Sequence, residues 1–260
     1  VDANPNGIVF NPLSLAFAME GLLEGKPDRL VKRGNEWVSL DHHGSFSSPS
    51  MELLESQIAL RRAGFLQGIK QAKLLTVTFG TAQVWRHLIS DTIVANCHKL
   101  PTQDFKSEVL SVETIVKTWA STIRDLNKIN PGLQVIFTVS PVRYKRGGAH
   151  QNTLSKSVLH LAVHDLCEQF DNTSYFPAYE ICIDELRDYR FFADDYSHPS
   201  AQAIQHVYAR FQESIMNSQT IEKSQKIAQL NKALAHRYST EEEQELAQRR
   251  IELEISELLK

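Results

Sequence analysis

The stretch Gln134-Val-Ile-Phe-Thr-Val139 runs straight into Ser140-Pro141, and this apolar run followed by a breaker is the strongest indication of the fold class. A short, uncharged run that ends abruptly is typical of a buried β-strand. Leu74-Leu-Thr-Val-Thr-Phe79, followed by Gly80, repeats the pattern. Tyr179-Glu-Ile-Cys-Ile183 is a third strand-like run. The sequence therefore predicts three strands that are well separated along the chain.

Helical spacing of apolar residues fills most of the chain between and around these runs. Residues 25–50 are rich in Gly, Ser, His and Pro, and we expect there an irregular loop region with a function of its own. A short apolar run at residues 7–10 opens the chain. The predicted helices span residues 15–23 with Ser14 as the cap, 51–72, 112–128, 154–170, and from Pro199 to about residue 217.

Strands that alternate with long helices predict a parallel sheet covered on both faces. The expected fold class is α/β, a three-layer sandwich with a flavodoxin-like parallel sheet. Ligands of such sheets bind outside the carboxyl ends of the strands. Those ends are Gly80-Thr81, the stretch from Ser140 to Arg143, and the segment that runs to His198. We therefore expect the chemistry of this chain at these three places.

Composition and charge narrow the classes of partner. A net charge of −3 gives no basic surface for nucleic acid or an anionic membrane, and no apolar stretch approaches the ~20 residues that cross a bilayer. Cys97, Cys167 and Cys182 are too few and odd in number for a disulfide framework. They predict free thiols in a reducing compartment, the cytoplasm. Small molecules or other proteins are the expected partners.

The composition changes from Ser218 onward. Residues 221–235 and 241–259 form two highly charged helical patterns, and Ser239 with Glu242 fits a capping box at the start of the second. We expect a helical hairpin that packs on the preceding domain or on a second subunit. The predicted organisation is a domain at residues 1–217 and a C-terminal helical extension at residues 218–260, with a homo-oligomer through the C-terminal helices as one possible assembly.

Asp195-Tyr-Ser-His198-Pro199 is the clearest chemical pattern in the chain. An aspartate three residues before a histidine can accept the imidazole N–H, fix the tautomer and stabilise the charged ring. The histidine can then act as general base toward a serine. The same spacing also arises where a histidine at a helix N-terminus bonds a local carboxylate, so the motif alone leaves both interpretations open.

Further strings along the chain accompany this motif. They are Phe10-Asn11-Pro12-Leu13-Ser14, Asp41-His42-His43, Phe79-Gly80-Thr81-Ala82, Asn96-Cys97-His98-Lys99, Thr138-Val139-Ser140-Pro141-Val142-Arg143, Tyr175-Phe-Pro-Ala-Tyr-Glu180, Asp184-Glu-Leu-Arg-Asp-Tyr-Arg190-Phe-Phe192 and Asp194-Asp-x-x-His198-Pro199. In this order they resemble the GSCFA family, which belongs with the SGNH hydrolases. The resemblance runs from residue 7 to about residue 210, and the C-terminal helices lie outside it.

The resemblance implies an ester hydrolase with a Ser-His-Asp triad and no cofactor. Asp195 and His198 match its late Asp-x-x-His. Gly80 matches a glycine whose backbone N–H helps to hold the oxyanion. Ala82 stands where an oxyanion asparagine is expected, so we expect Asn96 to supply that amide from another loop. The family's Gly-Ser-Cys-Phe-Ala string should precede Gly7 by a few dozen residues. We therefore expect the serine, and the first strand of the sheet, upstream of this chain.

Several other side chains are candidates for the pocket. Arg143 follows a strand end directly, where it could bind an anionic group of a substrate or pair with a nearby acid. His42, His43 and His98 would line the pocket or support the triad. Together with Asp41 and the Asp195 pair, they could instead form a metal site rich in oxygen and nitrogen ligands.

The interpretation that we favour is a serine esterase or deacylase that acts on an acylated small molecule or saccharide. His198 is the expected general base, Asp195 its orienting partner, and Gly80 and Asn96 the oxyanion donors. Ser45, Ser47 and Ser140 are internal serines at suitable positions, but none lies in a Gly-x-Ser-x-Gly elbow. The alternatives are a metal-dependent hydrolase that uses the histidine cluster, and a non-catalytic binding or scaffold protein.

Overall fold

The computed structural model describes residues 4–25, 27–234 and 241–258, which form a mixed α/β structure. Its helices are α1 (Pro12–Glu24), α2 (Met51–Gln71), α3 (Val112–Ile129), α4 (Gly148–Gln169), α5 (Ala178–Glu180), α6 (Ala201–Ile215), α7 (Ser218–Leu234) and α8 (Glu241–Leu258). Its strands are β1 (Leu30–Arg33), β2 (Glu36–Ser39), β3 (Ser47–Ser48), β4 (Leu74–Phe79), β5 (Gln83–His87), β6 (Thr92–Val94), β7 (Phe105–Val109), β8 (Gln134–Val139) and β9 (Thr173–Tyr175). None of the helices in the described ranges combines the length and the apolar character needed to cross a membrane.

The central sheet has the order β4-β8-β9, and both of its pairings are parallel. The two strands predicted at residues 74–79 and 134–139 are confirmed to the residue. They bring Phe79 and Phe137 together with Trp119 of α3, and the three rings pack at centroid distances of 5.2 to 5.4 Å in the core. The carboxyl ends of β4 and β8 consequently lie side by side.

The third predicted strand is wrong. Residues 178–185 are helical, and the third strand of the sheet is β9, which ends just before Phe176. Ile181 and Cys182 are both buried, although they are neighbours in sequence. Successive side chains of a strand point to opposite faces, whereas a helical turn can bury two adjacent residues, so the apolar run fits a helix packed against the sheet.

The irregular loop predicted for residues 25–50 contains an antiparallel sheet of the order β1-β2-β3. A two-residue loop joins β1 to β2, and Arg33 pairs directly with Glu36 across it. Gly34 in this loop has φ +59°, a left-handed conformation that glycine adopts at little cost. A second antiparallel sheet has the order β6-β5-β7.

The predicted helices are present, with changes at their first turns. The cap of α1 is Asn11 rather than Ser14, because the Oδ1 atom of Asn11 accepts from the backbone N–H of Ser14 at 2.8 Å. Pro12 follows at the first helical position, which suits its fixed φ. The fourth helix begins at Gly148, six residues earlier than predicted, and the sixth at Ala201 rather than at Pro199.

An open groove runs along β4, the edge strand of the parallel sheet. Among the described residues no strand pairs with the side of β4 that faces away from β8. Residues 4–10, which have no regular secondary structure, form the opposite wall of a cavity of about 540 Å³. Only Val77 and Phe79 of β4 are fully buried, so this strand is less buried than its sequence predicts.

The chain divides into two compact units, residues 1–201 and 202–260. The second unit contains both predicted C-terminal helices as α7 and α8, with Lys226 Nζ and Glu254 Oε1 at 2.9 Å between them. The capping-box residue Ser239 lies outside the described residues. The domain boundary that the sequence suggests, after residue 217, stays a prediction.

Candidate active site

Asp195 and His198 form a bonded pair in a tight loop. The Oδ2 atom of Asp195 lies 2.5 Å from Nδ1 of His198, and Oδ1 accepts from the backbone N–H groups of Ser197 at 2.8 Å and of His198 at 3.0 Å. These bonds, the backbone N–H of His198 first, hold the pKa of the Asp195 carboxyl well below its usual range. The aspartate is thus an anion that orients the imidazole through Nδ1.

The second ring nitrogen of His198, Nε2, is exposed. The side chain is 63% exposed, and within the described ranges no residue is hydrogen-bonded to Nε2. An imidazole that is fixed at Nδ1 by a carboxylate and open at Nε2 is the arrangement a general base needs. None of the described serines is hydrogen-bonded to this nitrogen.

The loop of residues 192–199, here called the Asp195 loop, is held in place from several sides. Phe192 and Pro199 form an antiparallel bridge at its base, and the N–H of Ala193 donates to the carbonyl of His198 at 2.8 Å. Tyr196 has φ +54°, a left-handed conformation that costs a tyrosine on the order of 1 kcal/mol. Strain of this kind is retained where the surrounding structure fixes it, often at functional sites.

Two cations that follow β8 fasten the loop to the sheet. The guanidinium of Arg143 donates to the carbonyl of Tyr196 at 2.9 Å and lies 4.3 Å from the centre of the Phe192 ring. The ammonium of Lys145 donates to the carbonyl of Asp195. Arg143, a candidate for substrate binding, thus also positions the Asp195 loop, while Lys145 is a contact that the sequence analysis did not single out.

The carboxyl ends of β4 and β8 are joined by Lys156, which the sequence analysis missed. Its buried ammonium donates to the carbonyl oxygens of Gly80 at 2.5 Å and Ser140 at 2.6 Å, and burial lowers its pKa to about 8. The neighbouring Ser155 accepts from the N–H of Ala82 at 2.7 Å. A signal was present, because Lys156 lies three residues before the buried Leu159 on the apolar side of α4, where a lysine is unexpected.

Gly80 is engaged through its backbone N–H as well. This group donates to the carbonyl of Phe10 at 2.8 Å, and the N–H of Thr81 donates to the same oxygen at 3.1 Å. The expected oxyanion donor therefore has an internal acceptor in this structure.

Asn96 offers a free donor in a fixed position. Its Oδ1 atom accepts from the backbone N–H of His98 at 2.7 Å, as in a local asparagine turn, while Nδ2 has no acceptor among the described residues. His98 and Lys99, which complete the turn, both adopt left-handed conformations, with φ of 49° and 57°. Because Oδ1 is anchored, the amide N–H₂ of Asn96 points away from its own turn.

Two of the three histidines near β2, His42 and His98, meet at Ser39, and His43 has a different partner. The Nδ1 atom of His42 lies 2.7 Å from the hydroxyl of the buried Ser39, and Nε2 of His98 donates to the Ser39 carbonyl at 2.5 Å. The Nδ1 atom of His43 instead lies 3.1 Å from the hydroxyl oxygen of Ser45. Across the described ranges no group of three or more His, Cys, Asp or Glu side chains is placed to hold a metal ion. The metal-site alternative thus finds no ligand cluster to support it.

Within the described ranges, none of the three candidate internal serines is hydrogen-bonded to His198. Ser45 is bonded to His43, Ser47 is in β3, and the hydroxyl of Ser140 accepts from the N–H of Val142 at 3.2 Å.

Two adjacent cations, Lys145 and Arg146, make different contacts before α4. Lys145 contacts the Asp195 loop, and the next residue, Arg146, lies 4.7 Å from the centre of the Trp85 ring. The charge of Arg146 also acts on Cys97, whose thiol pKa is raised by burial and lowered by this arginine to a smaller extent. Lys145 of this segment thus contacts the Asp195 loop, while Arg146 packs on β5.

Comparison with known proteins agrees with this arrangement of motifs. No curated protein gives a significant match to the sequence. The model of one family, described as the GSCFA family, matches residues 1–211, which include β4, β8 and the whole Asp195 loop. We conclude that this chain belongs to the GSCFA family.

Proposed function

We propose that this chain carries the general base of a serine ester hydrolase of the SGNH type. The observation that carries the proposal is the Asp195–His198 pair, with a 2.5 Å bond at Nδ1 and an exposed, unpartnered Nε2 within the described ranges. A carboxylate with a lowered pKa can stabilise the imidazolium that forms when His198 takes a proton. The substrate class that we propose is an acylated small molecule or saccharide.

The nucleophile in this proposal is a serine from a segment that precedes residue 1. The groove beside β4 supports it, because an extended segment there would meet the unpaired side of β4 and residues 4–10 at once. If such a segment were a strand parallel to β4, it would end beside Gly80 and Ser140, at the same edge of the sheet as the Asp195 loop. The parallel sheet would then be a larger one of the flavodoxin type, as we expected from the sequence.

The oxyanion donors that we propose are the Nδ2 amide of Asn96 and the backbone N–H of Gly80. The amide of Asn96 is preorganised, because its Oδ1 atom already accepts a hydrogen bond from the N–H of His98. The N–H of Gly80 can bind an oxyanion only after its hydrogen bond to the Phe10 carbonyl has broken. A segment inserted between residues 4–10 and β4 is the change that would separate these two groups.

The proposed reaction has two steps, acylation of the serine and hydrolysis of the acyl-serine. The serine Oγ attacks the ester carbonyl while Nε2 of His198 takes the hydroxyl proton, and the negative charge on the carbonyl oxygen is held by the two N–H donors. Collapse releases the alcohol with the proton from His198 and leaves an acyl-serine. Water then attacks the acyl group, again with His198 as base, and the carboxylic acid and the free serine are released.

We also propose a reducing compartment, the cytoplasm. Cys97, Cys167 and Cys182 are all free thiols, which is the usual state of cysteines in such a compartment.

Labelling with a fluorophosphonate probe tests the proposed function. We would compare this chain with a longer protein that includes the preceding residues, and map the adduct by mass spectrometry. Labelling of the longer protein alone, at an upstream serine, is the expected result. If neither protein is labelled, the serine mechanism is wrong, and a non-catalytic binding or scaffold role becomes the better account. If this chain is labelled by itself, the nucleophile is internal, and our assignment of it is wrong.

A further inference from the structure

A separate cavity lies directly beside the Asp195 loop. It has a volume of about 680 Å³, and its walls include Arg143, Lys145 and Tyr196. Two of these residues donate to carbonyls of the Asp195 loop, and the third lies inside the loop, between Asp195 and His198. A molecule in this cavity would therefore contact residues that form or hold the Asp195 loop.

The charge of the cavity is of one sign. Arg143 and Lys145 are cations, and none of the residues that form its walls in the described chain is acidic. Arg143 is held by the Tyr196 carbonyl and the Phe192 ring, so its guanidinium is fixed before any ligand arrives. Its remaining N–H groups have no acceptor within the described ranges. A preorganised guanidinium with free donors and a nearby ammonium together favour an anionic group.

Aromatic rings supply the other recognition element. Tyr144, Tyr179, Tyr189 and Tyr196 all line the cavity. The rings of Tyr189 and Tyr196 meet nearly at right angles, with centroids 5.6 Å apart, and both residues are more than half exposed, at 65% and 57%. Exposed tyrosines offer an apolar face with a hydroxyl at its rim, which suits a ring that carries both C–H faces and hydroxyl groups.

We propose that this cavity binds the alcohol half of the ester, and that this half is a saccharide bearing an anionic group, a carboxylate or a phosphate. The anion would lie against Arg143 and Lys145, and the sugar ring against Tyr189 and Tyr196. The inference rests on the proposed function, since it places the leaving group of that reaction. It adds the chemical class of the substrate and the residues that select it.

Direct binding to this chain tests the inference without any need for catalysis. We would titrate the protein with methyl β-glucuronide, glucose 6-phosphate, methyl β-glucoside and acetate, and follow binding by calorimetry and NMR. At least one anionic sugar should bind about tenfold more tightly than the neutral glucoside, because an ionic hydrogen bond to a charged partner adds to the ring contact. Acetate alone should bind more weakly than either anionic sugar. The preferred anionic sugar identifies the anion as carboxylate or phosphate.

Two variants locate the site. Lys145→Met should reduce the preference for the anionic sugar severalfold, whereas Lys128→Met, at an exposed lysine on α3 that does not line the cavity, should leave it unchanged. Tyr189→Ala should weaken the binding of all the sugars about threefold to tenfold. Equal affinity for the glucoside and the anionic sugars, no binding of any sugar, or equal effects of the two lysine variants would overturn the inference.

The outcome can be separated from that of the labelling experiment. Sugar binding without fluorophosphonate labelling would remove the esterase and leave the ligand class in place. Labelling without sugar binding would support the esterase and rule out the proposed ligand class.

Discussion

The backbone N–H of Gly80 donates to the carbonyl of Phe10 at 2.8 Å, so the end of β4 is fastened to the segment that forms the far wall of the groove. A Cβ atom at residue 80 would lie 2.9 Å from that carbonyl oxygen, closer than side-chain carbons normally come. Glycine therefore permits the approach of the two backbones. The same N–H cannot serve Phe10 and an oxyanion together, which makes this bond the contact that must change during the proposed reaction.

Replacing Gly80 with alanine should lower the free energy of unfolding by about 1–3 kcal/mol, because the new methyl group meets backbone rather than a flexible side chain. Urea denaturation would measure the change. Gly64→Ala is the matched control, since a Cβ there has no neighbour within 4 Å and the helix α2 should gain roughly 0.5–1 kcal/mol. Equal effects of the two substitutions would show that the Phe10 contact does not constrain residue 80.

Replacing His198 with alanine, in a protein that includes the preceding residues, should lower kcat for ester hydrolysis by at least ~10³ with little change in substrate binding. The reason is that Nε2 acts on the proton of the nucleophile and not on the ground-state substrate. His164→Ala serves as the control, because His164 is an exposed histidine of α4 without a bonded partner in the described structure. Near-normal turnover of the His198 variant would exclude the mechanism.

Replacing Asn96 with aspartate, in the same longer protein, should lower kcat about 10²-fold while the fold is preserved. An aspartate oxygen can still accept from the N–H of His98, so the turn keeps its anchor, but the donor at Nδ2 is replaced by a second, negatively charged acceptor. Kinetics together with an unchanged unfolding midpoint would separate the lost donor from a lost turn. If kcat is unchanged, Asn96 is not an oxyanion donor.

His42 should make the protein sensitive to acid. Burial of the ring lowers its pKa to about 4, although Asp41 acts in the opposite direction, whereas an unfolded chain has a histidine pKa near 6.5. Between these values the unfolded state binds more protons, so stability falls as the pH falls, by up to about 3 kcal/mol. Urea midpoints between pH 7 and pH 4.5 should fall less steeply for His42→Asn. Parallel slopes for the two proteins would contradict the assignment.

Lys156 should make the free energy of unfolding depend on pH in the alkaline range. Its folded pKa of about 8 lies below the ~10.4 of an unfolded lysine, so the unfolded state again binds more protons between these values. Stability should therefore rise with pH through this window, by about 2 kcal/mol between pH 8 and pH 10. The difference in unfolding free energy between the wild type and Lys156→Met should grow by that amount. A constant difference, or an NMR titration of the Lys156 ammonium near pH 10, would contradict the prediction.

The local part of the site could be predicted from the sequence. Asp195 and His198 are three residues apart, so their bond depends on one loop, and the spacing of the two side chains already indicates it. The bonds of Lys156 to Gly80 and of Arg143 to Tyr196 join residues 76 and 53 positions apart. No local pattern specifies such contacts, since they exist only once the strand ends and the loop have been brought together.

The strands at 74–79 and 134–139, most of the helices and the family could be predicted from the sequence, because periodicity, breakers and short motifs act over a few residues. Only the folded structure shows where the third parallel strand lies, that residues 30–48 form a sheet, that a groove runs along β4, and that a cationic cavity adjoins the Asp195 loop. Those features depend on which distant surfaces exclude water together, and the free energy of that burial is shared among segments that no single stretch of sequence contains.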